Sequence, residues 1–295
     1  MLHRAAARRP SSVRRGRLAS IAPALVRLGL LAGCDGNGTL PPMRELYEGA
    51  EPAVLECVPN LDGRIDAEEM PLVLGATVSY LVSPPGVSRA VDVAGQTEGE
   101  LLVWSWSVDL ADDQIVRLGP EPIDDRWYAD RFPPDAFVAP FDGGGSVETI
   151  SIQDDHGLML LGLASAQPDP PAGRTLLVYD APVELLRYPI EPGTTFTAQG
   201  TITDGTFRGI PYAATDTYEV QVDAIGELRL PSLTFTQAHR VRTTLTVEPA
   251  LGEATSVRQV SYFFECFGEV ARATSHPDEP DPDFGEAAEI RRLGY

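Results

Sequence analysis

Oxygen-bearing side chains near residue 60, an acidic pair beside His156 and three cysteines are the residues whose types and spacing suit chemistry. Most catalytic signatures are missing. The chain has no Gly-x-Ser-x-Gly nucleophile elbow and no His-Glu-x-x-His zinc pattern. Gly143-Gly144-Gly145-Ser146 lacks the lysine of a phosphate loop and reads as a plain loop. All 23 basic residues are arginine, so a lysine Schiff base or general base is excluded. Asp154-Asp155-His156 is the densest titratable cluster, either a metal or acid–base site or a polar turn ahead of Gly157. Neighbours on a strand point to opposite faces, so these three would need a loop to converge. Asp124-Asp125 beside Trp127-Tyr128 is the one meeting of acids with aromatics. It reads as a sugar site, or as capping acids beside core aromatics. His239 opens a polar-faced strand and is expected at the surface.

The stretch from Asn60 to Glu69 resembles an EF-hand or dockerin calcium loop. That resemblance implies calcium ligands at Asn60, Asp62, Asp66 and Glu69, with Gly63 as the sharp turn and Ile65 as the apolar pin. The first ligand position is Val58, which brings no carboxylate, whereas calcium takes at least about six oxygens. The same residues also make a structural turn. Asp62-Gly63 bends the chain. Asp66 caps a short helical turn with Glu69 as its partner, and Pro71 ends it. No cofactor other than this calcium is expected.

Leu31-Ala32-Gly33-Cys34 follows six arginines and an apolar segment, Leu18 to Leu31. Basic lead, apolar core and small residues are the parts of a secretory signal, and the final four residues resemble a bacterial lipoprotein box. The resemblance implies cleavage before Cys34, lipidation of Cys34, and a protein held in the bacterial cell envelope on the extracytoplasmic side. Arg27 interrupts the apolar core and must snorkel to an edge. Asp35, directly after the cysteine, resembles an inner-membrane retention signal, but the residues alone assign neither inner nor outer membrane. Residues 1–33 are then the signal and 34–42 a polar tether. Cys57 and Cys266 remain, an even number in an oxidising compartment, and a disulfide between them is expected. Two buried thiols or a reactive cysteine are the alternatives.

The whole chain carries a formal charge of −20, with all 43 acidic residues after Cys34. Such a surface argues against nucleic acid, which needs basic residues against its phosphates. It also argues against docking on anionic lipid through protein charge, so the membrane is reached through the N-terminal lipid.

From residue 71 the apolar period becomes two, the mark of half-buried strands. Leu72 to Tyr80 alternate, and Trp104, Trp106 and Val108 share a face. A short helix is expected over Asp124 to Arg131. Gly157 to Ala164 is apolar on both faces and reads as a central strand. Rows starting at Phe196, Tyr218, Val241 and Val260 each alternate with polar residues, which predicts an antiparallel sheet wet on one side. Asp204-Gly205 and Pro249 to Gly252 are the expected turns. The fold class is therefore all-β and mainly antiparallel: a curved, partly wrapped sheet or half-barrel. A short irregular or helical cap over residues 43–70, including a turn of helix through Ala53 to Glu56, precedes it. Residues 43–295 form one domain, with 168–173 the one place for a sub-boundary.

Tyr262 to Arg272 and Asp180 to Thr197 resemble closing segments of uncharacterised bacterial lipoproteins. More distantly, long alternating strands behind a lipoprotein box resemble the curved-sheet envelope carriers that hold lipid or acylated proteins. Two non-enzymatic functions follow: a lipid-anchored binding or scaffold module, or a carrier of an apolar ligand or acylated protein on a concave sheet face. An envelope hydrolase ranks behind both. A carrier needs an open apolar groove, whereas a scaffold fills that face with its own side chains.

Overall fold

The structure is a computed structural model that describes residues 57–294. The signal, the tether, Cys34, the helix expected over Ala53 to Glu56 and the first part of the cap lie outside them. Residues 57–77 form the described part of the cap, irregular except for one 3-10 turn over Ala67–Glu69. Sixteen strands follow. β1 (Val78–Val82), β2 (Arg89–Ala90), β3 (Gln96–Glu98), β4 (Leu101–Ser105), β5 (Gln114–Leu118) and β6 (Glu121–Pro122) are short. β7 (Phe137–Pro140), β8 (Val147–Gln153), β9 (Gly157–Ser165) and β10 (Leu176–Arg187) lengthen steadily. The longest are β11 (Thr195–Phe207), β12 (Ile210–Arg229) and β13 (Thr234–Pro249), before β14 (Thr255–Phe264), β15 (Gly268–Ser275) and β16 (Glu286–Leu293).

The fold is all-β. From β6 to β16 every strand pairs antiparallel with the next in sequence, and β1 and then β5 extend the sheet beyond β16. Among the described residues, the one parallel pairing joins β4 to the end of β12. The hydrogen-bonded ladder does not close, because its two edges are β5 and β6. Those edges are nonetheless consecutive in the chain, with only Gly119-Pro120 between them. So short a link spans roughly 10 Å at most, and the sheet must therefore curl until its edges are neighbours. A Cβ on Gly119 would lie 2.0 Å from Ala76 O, so the link needs glycine.

The sheet has two buried sides. On the inner side Phe196, Tyr218, Val220, Val222 and Val241 come together as their alternation requires. On the outer side, the short N-terminal strands lay Trp104 and Trp106 against Tyr262, with ring centroids 4.8 and 5.0 Å apart. The expectation of one wet face thus fails at β14. Its pairing sets Ser261 opposite Val241 and Tyr262 opposite Arg240. Val260, Tyr262 and Phe264 therefore face the tryptophans, and Val257, Gln259, Ser261 and Phe263 face inward. β14 is covered on both sides, and its polar residues Gln259 and Ser261 line the inner one.

Two local expectations change. Asp204-Gly205 is a bulge within β11, and the turn falls at Arg208-Gly209, both in the left-handed region. Asp124 to Arg131 forms only a 3-10 turn over Ala129–Arg131, since Tyr128 and Trp127 turn into the core between β7 and β9. Residues 168–173 are the hairpin loop between β9 and β10 in the same sheet.

Candidate ligand cavity

The curled sheet encloses a cavity of about 790 Å³. Its walls follow from strand alternation and from a bulge at Leu161, which brings Leu160 and Leu163 to one side. Leu158, Leu160 and Leu163 of β9, Leu186 of β10, and Val241 and Leu245 of β13 all point into it. Val73, Phe141 and Phe267 also line it while remaining 52%, 47% and 55% exposed. Leu72 and Val78 are further exposed lining residues.

A latch closes the gap between the far ends of the sheet. The loop after β7 reaches β16, where Gly143 N–H donates to Glu289 Oε2 at 3.0 Å. Arg291 Nη2 donates to Phe141 O at 3.4 Å. A Cβ on Gly143 would meet Val82 Cγ1 at 2.6 Å, so this approach requires glycine.

One end of the cavity is charged. Glu269, Arg272, Glu289 and Arg291 line it together. Register explains the grouping. β15 carries an extra residue, Val270, opposite the step from Tyr262 to Phe263 of β14. That bulge turns Glu269 to the same side as Arg272, although odd spacing would separate them. Arg272 then stands directly opposite Arg291 across the β15–β16 pair, and Thr274 opposite Glu289. Arg272 holds Glu269 with Nε and Nη2, each at 2.8 Å. Arg291 reaches Glu289 Oε1 at 3.2 Å. Burial, and then the neighbouring Arg272 charge, lower the pKa of Arg291 against the opposing pull of Glu269 and Glu289. Tyr80 donates its hydroxyl to Glu269 O at 2.7 Å. Burial, and then the Glu269 charge, push its pKa up to about 12.

None of these four charged residues stands out in the sequence. The available signal was a Glu or Arg recurring inside short apolar rows near the C-terminus, as in Val270-Ala271-Arg272-Ala273 and Glu289-Ile290-Arg291. Their convergence depends on the bulge, which alternation alone does not locate.

The calcium-loop residues lie elsewhere, beside the Cys57–Cys266 disulfide. Asn60 Oδ1 accepts from Asp62 N–H at 2.8 Å, and Asp62 Oδ1 from Arg64 N–H at 3.2 Å. Asp66 pairs with Arg64 at 2.9 Å. Glu69 Oε2 accepts from Asp66 N–H at 3.0 Å. Each of the four side chains thus has a local partner. The loop's own amides point to a carboxylate: Asn60 and Leu61 N–H donate to Glu265 Oε2 at 2.6 and 2.9 Å. Among the described residues no group of three or more His, Cys, Asp or Glu is placed to hold a metal ion.

Neither of the two remaining clusters lines the cavity. Asp154 Oδ1 accepts from His156 and Gly157 N–H at 2.8 and 3.1 Å, which makes the polar turn before β9. These backbone bonds, His156 first, lower the Asp154 pKa against a smaller desolvation effect. Near Asp124-Asp125, Tyr128 donates to Glu148 and Arg126 pairs with Glu148 at 3.0 Å. The Arg174 guanidinium covers the Trp127 ring at 5.0 Å. His239, expected at the surface, is fully buried. Its Nδ1 faces Gln237 O at 3.1 Å, and burial lowers its pKa.

Comparison with protein-family models, curated proteins and solved structures finds no match for this chain.

Proposed function

We propose that the protein is a non-enzymatic, lipid-anchored carrier of the bacterial envelope, holding an apolar ligand in the cavity of its curled sheet. The observation that carries this reading is the largely apolar cavity of about 790 Å³, several of whose apolar lining residues remain exposed. Its volume falls within the roughly 300–1,000 Å³ range of small-molecule sites. A scaffold would fill this face with its own side chains, so the open cavity favours the carrier over the scaffold alternative. Exposed Val73, Phe141 and Phe267 give a leaving ligand an apolar path between cavity and donor or acceptor.

Anchoring is assigned to Cys34 and the membrane contact to its lipid. The acidic surface keeps the domain itself off anionic headgroups. The test is organic extraction of the protein purified from its bacterial host, followed by mass spectrometry. A stoichiometric apolar species is expected, and its absence before and after incubation with long-chain amphiphiles would remove the carrier. Incorporation of labelled fatty acid that survives Cys34→Ala would remove the anchor.

A further inference from the structure

We propose that Arg291, together with Arg272, forms a headgroup site inside the cavity, and that the ligand is an amphiphile whose apolar tail ends in an anionic oxygen group. This rests on the carrier reading and adds the chemistry of the ligand's polar end.

Arg272 and Arg291 are direct cross-strand partners, and both line the largely apolar cavity beside Glu269, Glu289 and Asp142. Like charges placed opposite each other on a sheet are destabilising. Well-packed apolar residues generally replace buried ion pairs without loss of stability. A fold that needed only to be stable would have little use for this arrangement.

The two arginines are not equally occupied. Arg272 is engaged by both oxygens of Glu269 at 2.8 Å. Arg291 is only 5% exposed, and its Nη2 has two long contacts, 3.2 Å to Glu289 and 3.4 Å to Phe141 O. Its Nε has no hydrogen-bond partner among the described residues. Arg292, the next residue, points to the outer side, and although its Nε likewise lacks a partner, both of its terminal nitrogens are held at short range. Its Nη1 donates to Trp106 O at 2.8 Å and to Val108 O, and its Nη2 pairs with Asp113.

A guanidinium presents a planar fork of donors that fits a carboxylate or phosphate. Among the described residues, Arg291 lies at the charged end of the cavity with its fork held only by the two long contacts to Glu289 and Phe141 O. The tail would lie along Leu158, Leu160, Leu186, Val241 and Leu245. The acidic chain as a whole repels anions, so any preference for an anionic head must be local.

The test is displacement of the neutral dye N-phenyl-1-naphthylamine from the purified full-length protein by hexadecanoate, hexadecyl phosphate and hexadecan-1-ol. The three share a tail and differ in the head. At least one anionic amphiphile is expected to displace the dye at about tenfold lower concentration than the alcohol, the scale of one charge-assisted hydrogen bond. Which of the two does so separates a carboxylate from a phosphate. Arg291→Gln is expected to remove that preference in a protein that still binds the dye. Arg291→Lys keeps charge without the fork and is expected to retain only part of it.

Equal displacement by all three in the wild-type protein would overturn the headgroup site while leaving the carrier intact. So would a preference that survives Arg291→Gln in a protein that still binds dye. Failure of the dye and every amphiphile to bind would overturn both.

Discussion

Glu265 and His239 show how much of the cap depends on single buried groups. Glu265 is 1% exposed and takes both the Asn60 and Leu61 amides. Glu265→Leu strands two donors and is expected to cost about 1–3 kcal/mol in urea unfolding. His239 sets a pH response. Its folded pKa lies below the ordinary 6.5, because burial disfavours the imidazolium. Between that folded value and 6.5 the unfolded chain binds more protons than the folded one. Stability therefore rises with pH across this window and is lost on acidification below it. Melting temperatures taken between about pH 5.5 and 8 are expected to fall toward the acid end. His239→Leu is expected to flatten that part of the profile. A slope unchanged in the variant would assign the response to other groups. Glu69 has the opposite sign, since burial raises its pKa and its contribution fades as pH rises through that value.

At the scale of elements, two devices hold the curl. The disulfide ties Cys57 to Cys266, 209 residues apart. The loop-entropy relation gives about 5 kcal/mol for such a closure, so Cys57→Ser/Cys266→Ser is expected to lower the unfolding midpoint strongly. The latch at Gly143 is the second. Gly143→Val drives side-chain atoms into Val82 and is expected to cost about 1–3 kcal/mol. Faster amide exchange on β16 would mark the opened latch, and unchanged exchange would show that the loop does not hold the edge.

Much of the strand content was legible because alternation records which residues face inward. The rows through Phe196, Tyr218 and Val241 appear where that pattern puts them. Alternation does not record what covers the other side. Val260, Tyr262 and Phe264 looked like a fourth inward row, but they pack outward under Trp104 and Trp106. The disulfide was legible from cysteine parity and compartment. The charged end of the cavity was not, because one inserted residue, Val270, decides which side Glu269 faces.

The whole molecule is an antiparallel meander whose first long-range act is to return β1 beside β16, next to the last strand of the chain. Its edges are joined by two residues of chain, not by a ladder, and a loop latch ties the β7–β8 turn to β16 near them. Such closure leaves the interior accessible without a continuous rim of hydrogen bonds to break. The proposed anchor at Cys34 would keep this acidic body near a membrane that its own surface avoids.

The measurement that tests the carrier most directly is a titration of N-phenyl-1-naphthylamine into the wild-type protein and into Leu245→Trp, which fills the cavity from β13. Saturable, blue-shifted dye emission is expected from the wild type. The filled variant is expected to bind at least about tenfold more weakly, as an overfilled apolar site should, while melting within a few degrees of the parent. Equal binding by the two proteins, or no saturable binding by the wild type, would contradict a ligand held in this cavity.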